Sequence, residues 1–470
     1  MQSINRRNFL AALSAAGLPM GAVAGAAQVP PPGCVREGAR DLPVVGEYDL
    51  VVAGGGPAGI ATAVTAARSG VKTLLLECHG SLGGIWTTGL LSWLIGFDAT
   101  PFDREILARL DKYGTRNLAG RAKGRDWAYE PEYMKLVCEE MCAEAGVAVR
   151  LHTPVVAAAV RDGGIEAAIT ESKSGREAWR ATFFADCTGD GDLAARAGCG
   201  FDVGGENPGD PEQPASLIAL VMLPNGGDAE CVVNTPGMRH KVAKTRLKRL
   251  LEGVGVHPSY GDPTFFRLNG NLLALMANHE YDVRVDDAQA VTEATLRARR
   301  EVFTIVDALA TRCGEPWKGA RVIASAEQLG HRRARRIHGR YTMSAEDAYA
   351  GRTFPDAIAT CSFCIDIHAV SRKMNKILPA GNPAGRAVKP YQIPIRACQA
   401  KDLDNLYMAG RCISGDFASQ ASYRITGTAV ATGVGIANAI AAQCGNAKKC
   451  ISPIAGAPRY GTIFGTPPIG

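Results

Sequence analysis

Residues 47–77, EYDLVVAGGGPAGIATAVTAARSGVKTLLLE, constrain the fold more than any other part of the chain. Tyr48–Ala53 is a short apolar run with two adjacent valines, the pattern of a parallel strand buried on both faces. Gly54-x-Gly56-x-x-Gly59 follows at once, Ala61–Ser69 has helical composition, and a second apolar run, Val71–Leu76, ends on Glu77, 18 residues after Gly59. Each part has a physical job. Gly54 permits a tight turn, Gly56 lets the backbone approach a pyrophosphate, and Gly59 lets the helix pack close to the strand. Pro57 and Ala58 lie in the same turn, at a helix start whose free N–H groups and positive dipole end suit phosphates. Glu77 closes the second strand, where it can accept hydrogen bonds from a ribose. A lone glycine pattern would be weak, but strand, glycines, helix, second strand and carboxylate all occur at the right distances, and together they predict a dinucleotide site.

The stretch after Glu77, CHGSLGGIWTTGLLSWLIG, separates FAD from NAD. Flexible backbone at Gly80, Gly83 and Gly84, then Trp86, Thr87 and Thr88, lets the main chain run past a flat ring system, whereas an NAD domain proceeds to its next helix. This stretch resembles the glutathione-reductase-like FAD superfamily. FFADCTGDGDLAARAG (183–198) resembles that superfamily's strand ending in a D-x-T-G-D turn, and LDNLYMAGRCISGDFASQASYRITGTAVATGVGIANAIAA (403–442) resembles its closing strand, Leu406–Ala409, and the helix that ends against the flavin. EQLGHRRARRIHGRYTMSAEDAYAGRTFPDAIA…IDIH (327–368) and YQIPIRA (391–397) resemble the FAD-dependent oxidoreductase family that includes heterodisulfide-reductase-A-like flavin subunits. The likeness spans about residues 47–442 and is weakest across 205–320. It implies FAD held by Gly54, Gly56, Pro57, Ala58, Gly59, Glu77, Gly83, Gly84, Thr88, Val155, Thr188, Gly189, Asp190, Gly410, Arg411, Gly427 and Thr428. The link is expected to be non-covalent, because Gly83–Leu91 holds no histidine and His79 lies only two residues beyond Glu77.

The implied fold class is α/β: a discontinuous, glutathione-reductase-like Rossmann FAD-binding domain with an inserted α+β substrate domain. Its first part is expected over 47–204, with an excursion near 101–146; a substrate or cap domain with a lid follows over 205–395, then the closing segment 396–445 and a surface tail over 446–470. Turn-rich GGENPGDPEQP (204–214) marks the first crossing, Thr292–Thr311 reads as a helix of the second domain, and ILPAGNPAGRAVKPY (377–391) as a loop or lid. Gly433-x-Gly435 lacks a third glycine and sits in a helix-like run, so no second dinucleotide unit is expected.

The densest charge in the chain is GHRRARRIHGRY (330–341). Read as a strand, it puts Arg332, Ala334, Arg336, His338 and Arg340 on one face and Arg333, Arg335, Ile337 and Tyr341 on the other. Arginines suit planar anions, so Arg332 and Arg335, which match family positions, are candidates to hold a substrate carboxylate; pairing with Glu346, Asp347 or Asp356 is the structural alternative. The family's usual Glu is Arg333 here and its usual Ser is Ala334. His368, in CIDIHAV, is the acid–base candidate, with Asp366 two residues away on the same strand face to orient its ring; a satisfied core histidine is the alternative. Tyr391 and Arg396 are weaker candidates. The backbone N–H groups of Tyr423-Arg424-Ile425-Thr426-Gly427-Thr428 would stabilise negative charge on the reduced ring.

INRRNFLAALSAAG (4–17) has the parts of a bacterial secretory signal: Arg6 and Arg7, an apolar stretch from Phe9 to about Ala26, and Ala-x-Ala sites at Ala22–Ala24 and Ala24–Ala26. RRxFL resembles the twin-arginine signal, whose pathway moves proteins already folded around a cofactor, although Asn5 replaces the usual Ser or Thr. Residues 1–27 are accordingly expected to be a signal peptide, and the protein periplasmic or otherwise exported. Its low hydrophobicity falls short of a stable membrane span. The net charge of +6 includes Arg6 and Arg7, and its basic residues are scattered, so nothing asks for nucleic acid. Fourteen cysteines meet an oxidising compartment, but they form no cluster-ligating run; Cys138 and Cys142 lie a helical turn apart, and Cys361-x-x-Cys364 is read either as a disulfide or redox pair or as two free thiols. No metal site is expected. The sequence therefore reads as an exported FAD-dependent oxidoreductase, a dehydrogenase or oxidase that takes a hydride from a small organic and in one reading anionic substrate and passes electrons to oxygen, a quinone or a carrier protein. The alternatives are an electron-transfer subunit of a larger redox complex and a non-redox binding protein with a vestigial FAD fold. Oligomeric state is not legible.

Overall fold

The apolar run before the glycines forms strand β1 (Val44–Ala53), whose last four residues are buried, as expected for a strand covered on both faces. In the computed structural model, which describes residue 35 and residues 37–447 apart from 98–99, 118–126, 206–211, 228–229 and 236–237, helix α1 (Pro57–Arg68) follows, with Pro57 at its first position and Gly56 as its N-cap. Proline suits that position because the first turn has no internal partner for its N–H. The expected signal segment, 1–27, and the tail from 448 lie outside the described residues, as does most of the 204–214 turn.

β1 is the centre of a seven-stranded sheet. It pairs in parallel with β2 (Thr73–Leu76), which pairs in parallel with β3 (Ala148–Arg150). After the antiparallel pair β4 (Val155–Arg161) and β5 (Gly164–Ser172), β6 (Gly175–Asp186) runs parallel to β1 on its other side. β6 is 12 residues long because one of its edges is used twice. Residues Gly175–Arg180 pair with β5, and Phe184–Asp186 pair in parallel with Leu406–Met408, the expected closing strand. Segments far apart in sequence thus build one mixed sheet, the Rossmann-like core of an α/β fold.

A long C-terminal helix, Thr426–Ala447, lies against α1. Gly433 is what permits this approach, since a Cβ there would fall 2.4 Å from the Ala58 carbonyl oxygen. Close packing, not a second cofactor, accounts for the Gly433-x-Gly435 pair. The excursion contributes two helices, Pro101–Lys112 and Pro131–Ala145, whose buried faces join the same core. Cys138 and Cys142 belong to that face as free thiols, as Cys361 and Cys364 also are.

A second core gathers around a four-stranded sheet of Ala219–Met222, Thr264–Asn269, Leu272–Met276 and Arg321–Ser325, all pairs antiparallel. The helix expected at Thr292–Thr311 covers it, extending over Ala288–Arg312 with Asp287 accepting from the Ala290 N–H as its cap. Its buried face, Ala294, Ala298, Val302, Ile305 and Leu309, has the spacing of an amphipathic helix. The span 205–395 divides between the two cores, for Ile337, Met343, Cys361, Tyr391 and Ile393 pack on the first. Among the described residues no single helix is long and apolar enough to cross a membrane.

Candidate active site

The cofactor cradle is built mostly from main chain. Gly54 turns with φ +94°, and its N–H donates to the Leu76 carbonyl at 2.7 Å. A Cβ on Gly59 would lie 1.8 Å from the Gly54 carbonyl oxygen, so that glycine sets how closely α1 approaches the turn. Gly56 differs: a Cβ there meets nothing of the protein nearer than the Gly84 Cα at 4.0 Å. No side chain caps α1 and no acidic residue stands in its first turn. A cradle that a Cβ would fill, facing an uncapped helix start, fits the pyrophosphate of FAD.

Glu77 is buried, and both its oxygens are engaged: Oε2 accepts from the Gly55 N–H at 2.6 Å and Oε1 from the His79 N–H at 2.8 Å. It thus fixes the glycine loop itself. The Gly83-Gly84 element returns to that loop, with the Gly83 N–H donating to the Gly55 carbonyl at 2.8 Å. Thr88 Oγ1 is held by the Gly84 carbonyl oxygen at 2.9 Å and Gln328 Oε1 at 3.0 Å.

The D-x-T-G-D turn is organised by Asp186, which accepts from Thr188 N–H and Oγ1 and from the Ala194 N–H at 2.7 to 3.1 Å. Burial pushes its pKa up to about 6. Asp190 pairs with Arg411 at 2.9 Å, and Arg411 also donates to the carbonyls of His331 and Arg333, latching the closing segment to both neighbours. Gly410 donates to Thr432 Oγ1 at 3.2 Å, and Val155 starts β4 as a buried residue whose carbonyl accepts from Arg196. Thr428 is buried, but the Gly427 N–H donates to the Ile95 carbonyl at 3.1 Å. This corrects one expectation, because that amide is already taken.

The arginine cluster is not the strand the sequence suggests. Only Arg336–Ile337 is strand, and Arg332, Arg333 and Arg336 are all buried, on both supposed faces. Backbone carbonyls engage their terminal nitrogens: Arg332 reaches Pro214 at 2.7 Å and Arg333 and Arg336 both reach Gly204. The proposed acidic partners are used elsewhere, Glu346 by Arg386, Asp347 by Arg352 and Asp356 by Arg396. Arg335 donates to Asp192 and to the Asp190 carbonyl, both at 2.9 Å, on the cofactor turn. Tyr391 is a buried partner of Ser422, and Arg396 is in an outlying ion pair.

Arg332, by contrast, stands beside His368. His368 Nε2 is 3.2 Å from Asp366 Oδ2, so the expected pair meets, although only Ile367–His368 is strand. Its Nδ1 is 3.1 Å from Nε2 of His279, and its backbone N–H donates to Gln213 Oε1 at 2.8 Å. Tyr260 lies against both imidazoles, with ring centroids 4.1 and 5.5 Å away. Arg424 ties Asp366 to the start of the C-terminal helix, its Nη2 2.9 Å from the Asp366 carbonyl oxygen. Burial, and then Arg332, lower the His368 pKa to about 3 and hold His279 far below its ordinary range. Burial works to raise Asp366, but the His368 hydrogen bond and the nearby cations outweigh it and keep the carboxyl well below the usual range. The result is a neutral histidine pair between a carboxylate and two guanidiniums. Two buried donors beside it, Gln213 Nε2 and Arg424 Nε, have no partner among the described residues. His279, Tyr260 and Gln213 carry no pattern in the sequence; the one available signal is that the chain holds only eight histidines.

Residues 49–455 match the family described as FAD dependent oxidoreductase. An 82-residue stretch is 37% identical to the dihydrolipoyl dehydrogenase of Trypanosoma brucei brucei, covering 17% of each chain. Another, of 45 residues, is 51% identical to the thiamine thiazole synthase of Methanococcus vannielii, covering 9% of this chain and 17% of that protein. The chain thus spans 17% or less of the length of these curated relatives. Among solved structures, a geranylgeranyl bacteriochlorophyll reductase-like protein from Thermoplasma acidophilum aligns with 85% of this chain and 79% of its own at 12% identity and a TM-score of 0.47.

Proposed function

This chain belongs to the FAD-dependent oxidoreductase family, and from that premise we propose that it is an exported enzyme that oxidises a small, anionic organic substrate by loss of a hydride and a proton. The observation that carries the reading is the buried His279–His368–Asp366 set flanked by Arg332 and Arg424. Bound FAD supplies the hydride acceptor. The chain's own residues handle the proton and the charge. Asp366 orients His368 and balances the imidazolium formed when the histidine pair takes a proton. Arg332 stays protonated at neutral pH, with a pKa that burial and Arg424 lower only to about 10. Beside Arg424 Nε and Gln213 Nε2, which no described residue engages, it makes a cationic, donor-rich surround suited to a carboxylate. Tyr260 and the second core close over the rings and keep water from them. Export by a folding-sensitive route agrees with this reading, since FAD is loaded before a folded protein crosses the membrane.

Anaerobic mixing of the holoenzyme with a panel of small hydroxy and amino acids tests the proposal. Bleaching of the flavin by at least one compound, without any partner protein, is expected. Bleaching only when a second protein is added would replace this reading with that of an electron-transfer subunit. Replacing Arg6 and Arg7 by lysines should retain the protein in the cytoplasm; unchanged export would remove the twin-arginine assignment.

A further inference from the structure

We propose that His279 is the residue that takes the substrate's proton and that His368 is the relay behind it, an inference that rests on the hydride-abstracting reading of the site. The argument is one of hydrogen-bond polarity. An ionised Asp366 can only accept, so His368 Nε2, 3.2 Å away, carries the hydrogen. A neutral His368 then has a bare Nδ1, which can only accept, so the facing Nε2 of His279, 3.1 Å away, carries its hydrogen too. The lone pair of His279 therefore sits at Nδ1. Both nitrogens of His368 are occupied by protein partners, and it cannot receive a substrate's proton without breaking one of those bonds. His279 Nδ1 is held only loosely: its side-chain neighbour, the Tyr281 hydroxyl, is 3.4 Å away and equally far from the Ser259 carbonyl oxygen. The ring itself is fixed, stacked on Tyr260 and with its backbone N–H on Ser259 Oγ, which Glu301 holds in turn at 2.6 Å.

The transfer balances in two moves. A substrate O–H or N–H proton goes to His279 Nδ1 as the Nε2 proton of His279 passes to His368 Nδ1. The charge then rests on His368 as an imidazolium against the Asp366 carboxylate, and the electron pair of the substrate's C–H bond leaves as hydride to the family's cofactor. Arg332 opposes this protonation in the resting site. An anion bound against Arg332 cancels that opposition, so the relay gains basicity when an anionic substrate is in place.

Holoenzyme with ring-15N histidine, read by long-range 1H–15N correlation at pH 7, tests the polarity directly, with His279→Gln and His368→Gln supplying the assignments among eight histidines. Both rings should be neutral with hydrogen on Nε2. An Nδ1–H tautomer or a doubly protonated ring at His279 would overturn the proposal whatever the substrate proves to be. With a compound that bleaches the flavin, His279→Gln should slow reduction by roughly 10²–10⁴-fold while flavin content stays at the wild-type level. Reduction at the wild-type rate would overturn it as well. If no compound in the panel bleaches the enzyme, the functional reading fails, while the tautomer signature still decides the polarity of the pair.

Discussion

The cofactor cradle and the histidine site are built in opposite ways. The cradle is local: its turn, helix start and carboxylate come from Gly54 to Glu77, and main chain makes most of its contacts. The histidine site draws on Gln213, Tyr260, His279, Arg332, Asp366, His368 and Arg424, which come from six separated stretches and meet only when both cores are in place. The difference teaches where each is vulnerable. A change in the cradle acts on backbone and so on folding or loading, whereas a change in the histidine site acts on protons.

The largest effect that would test this contrast is at Gly59. Gly59→Val places a Cβ 1.8 Å from the Gly54 carbonyl oxygen, and no folded, flavin-containing protein is expected; a soluble yellow variant would show that the turn can open. Gly56→Val should separate loading from folding, because its Cβ meets no protein atom nearer than 4.0 Å. Its far-UV circular dichroism should match the wild-type apoprotein, while bound flavin falls to a small fraction. Third comes His368→Ala, expected to slow flavin reduction by roughly 10²–10⁴-fold at wild-type flavin content in stopped-flow mixing. A normal rate there would make His368 a structural histidine.

Arg335→Lys sharpens the comparison from the other side. With Arg335 bonded to Asp192 and the Asp190 carbonyl, the change should cost about 1 kcal/mol of stability and leave the substrate's apparent dissociation constant unaltered. A raised dissociation constant would return Arg335 to the substrate site. The last effect is nil at neutral pH and appears only in acid. His368 has a folded pKa lowered to about 3 from 6.5, so between those values the unfolded chain binds a proton that the folded one refuses. Its contribution to stability is full above pH 6.5 and is lost as pH falls through that window. His368→Gln should flatten part of the acid limb of a thermal-melting profile; an unchanged limb would mean that the ring is solvated.

The legible part of the molecule is the part whose physics is short-range. Gly54, Gly59 and Glu77 could be assigned because a turn, a close approach and a strand-end carboxylate each demand one residue type at a fixed spacing. Asp366 and His368 could be paired on the rule that a strand brings alternate residues to one face, although the strand itself covers only Ile367–His368. The same rule misled at 330–341, where buried carbonyls from Gly204 and Pro214 bind the arginines in irregular chain that no period describes. His279 was invisible for a plainer reason: its partner lies 89 residues away.

The double use of one edge of β6 has a consequence for synthesis. Leu406–Met408 completes that edge beside Phe184–Asp186, roughly 220 residues later in the chain. At ordinary elongation rates of about 5–20 residues per second, the half-paired edge emerges from the ribosome and waits roughly 10–45 s for its neighbour. Until then it presents unpaired main-chain groups that any other extended segment can occupy. The nascent chain should therefore be most prone to mispairing during that interval, and translation pauses placed between these two strands should lower the yield of native protein more than pauses placed after Met408.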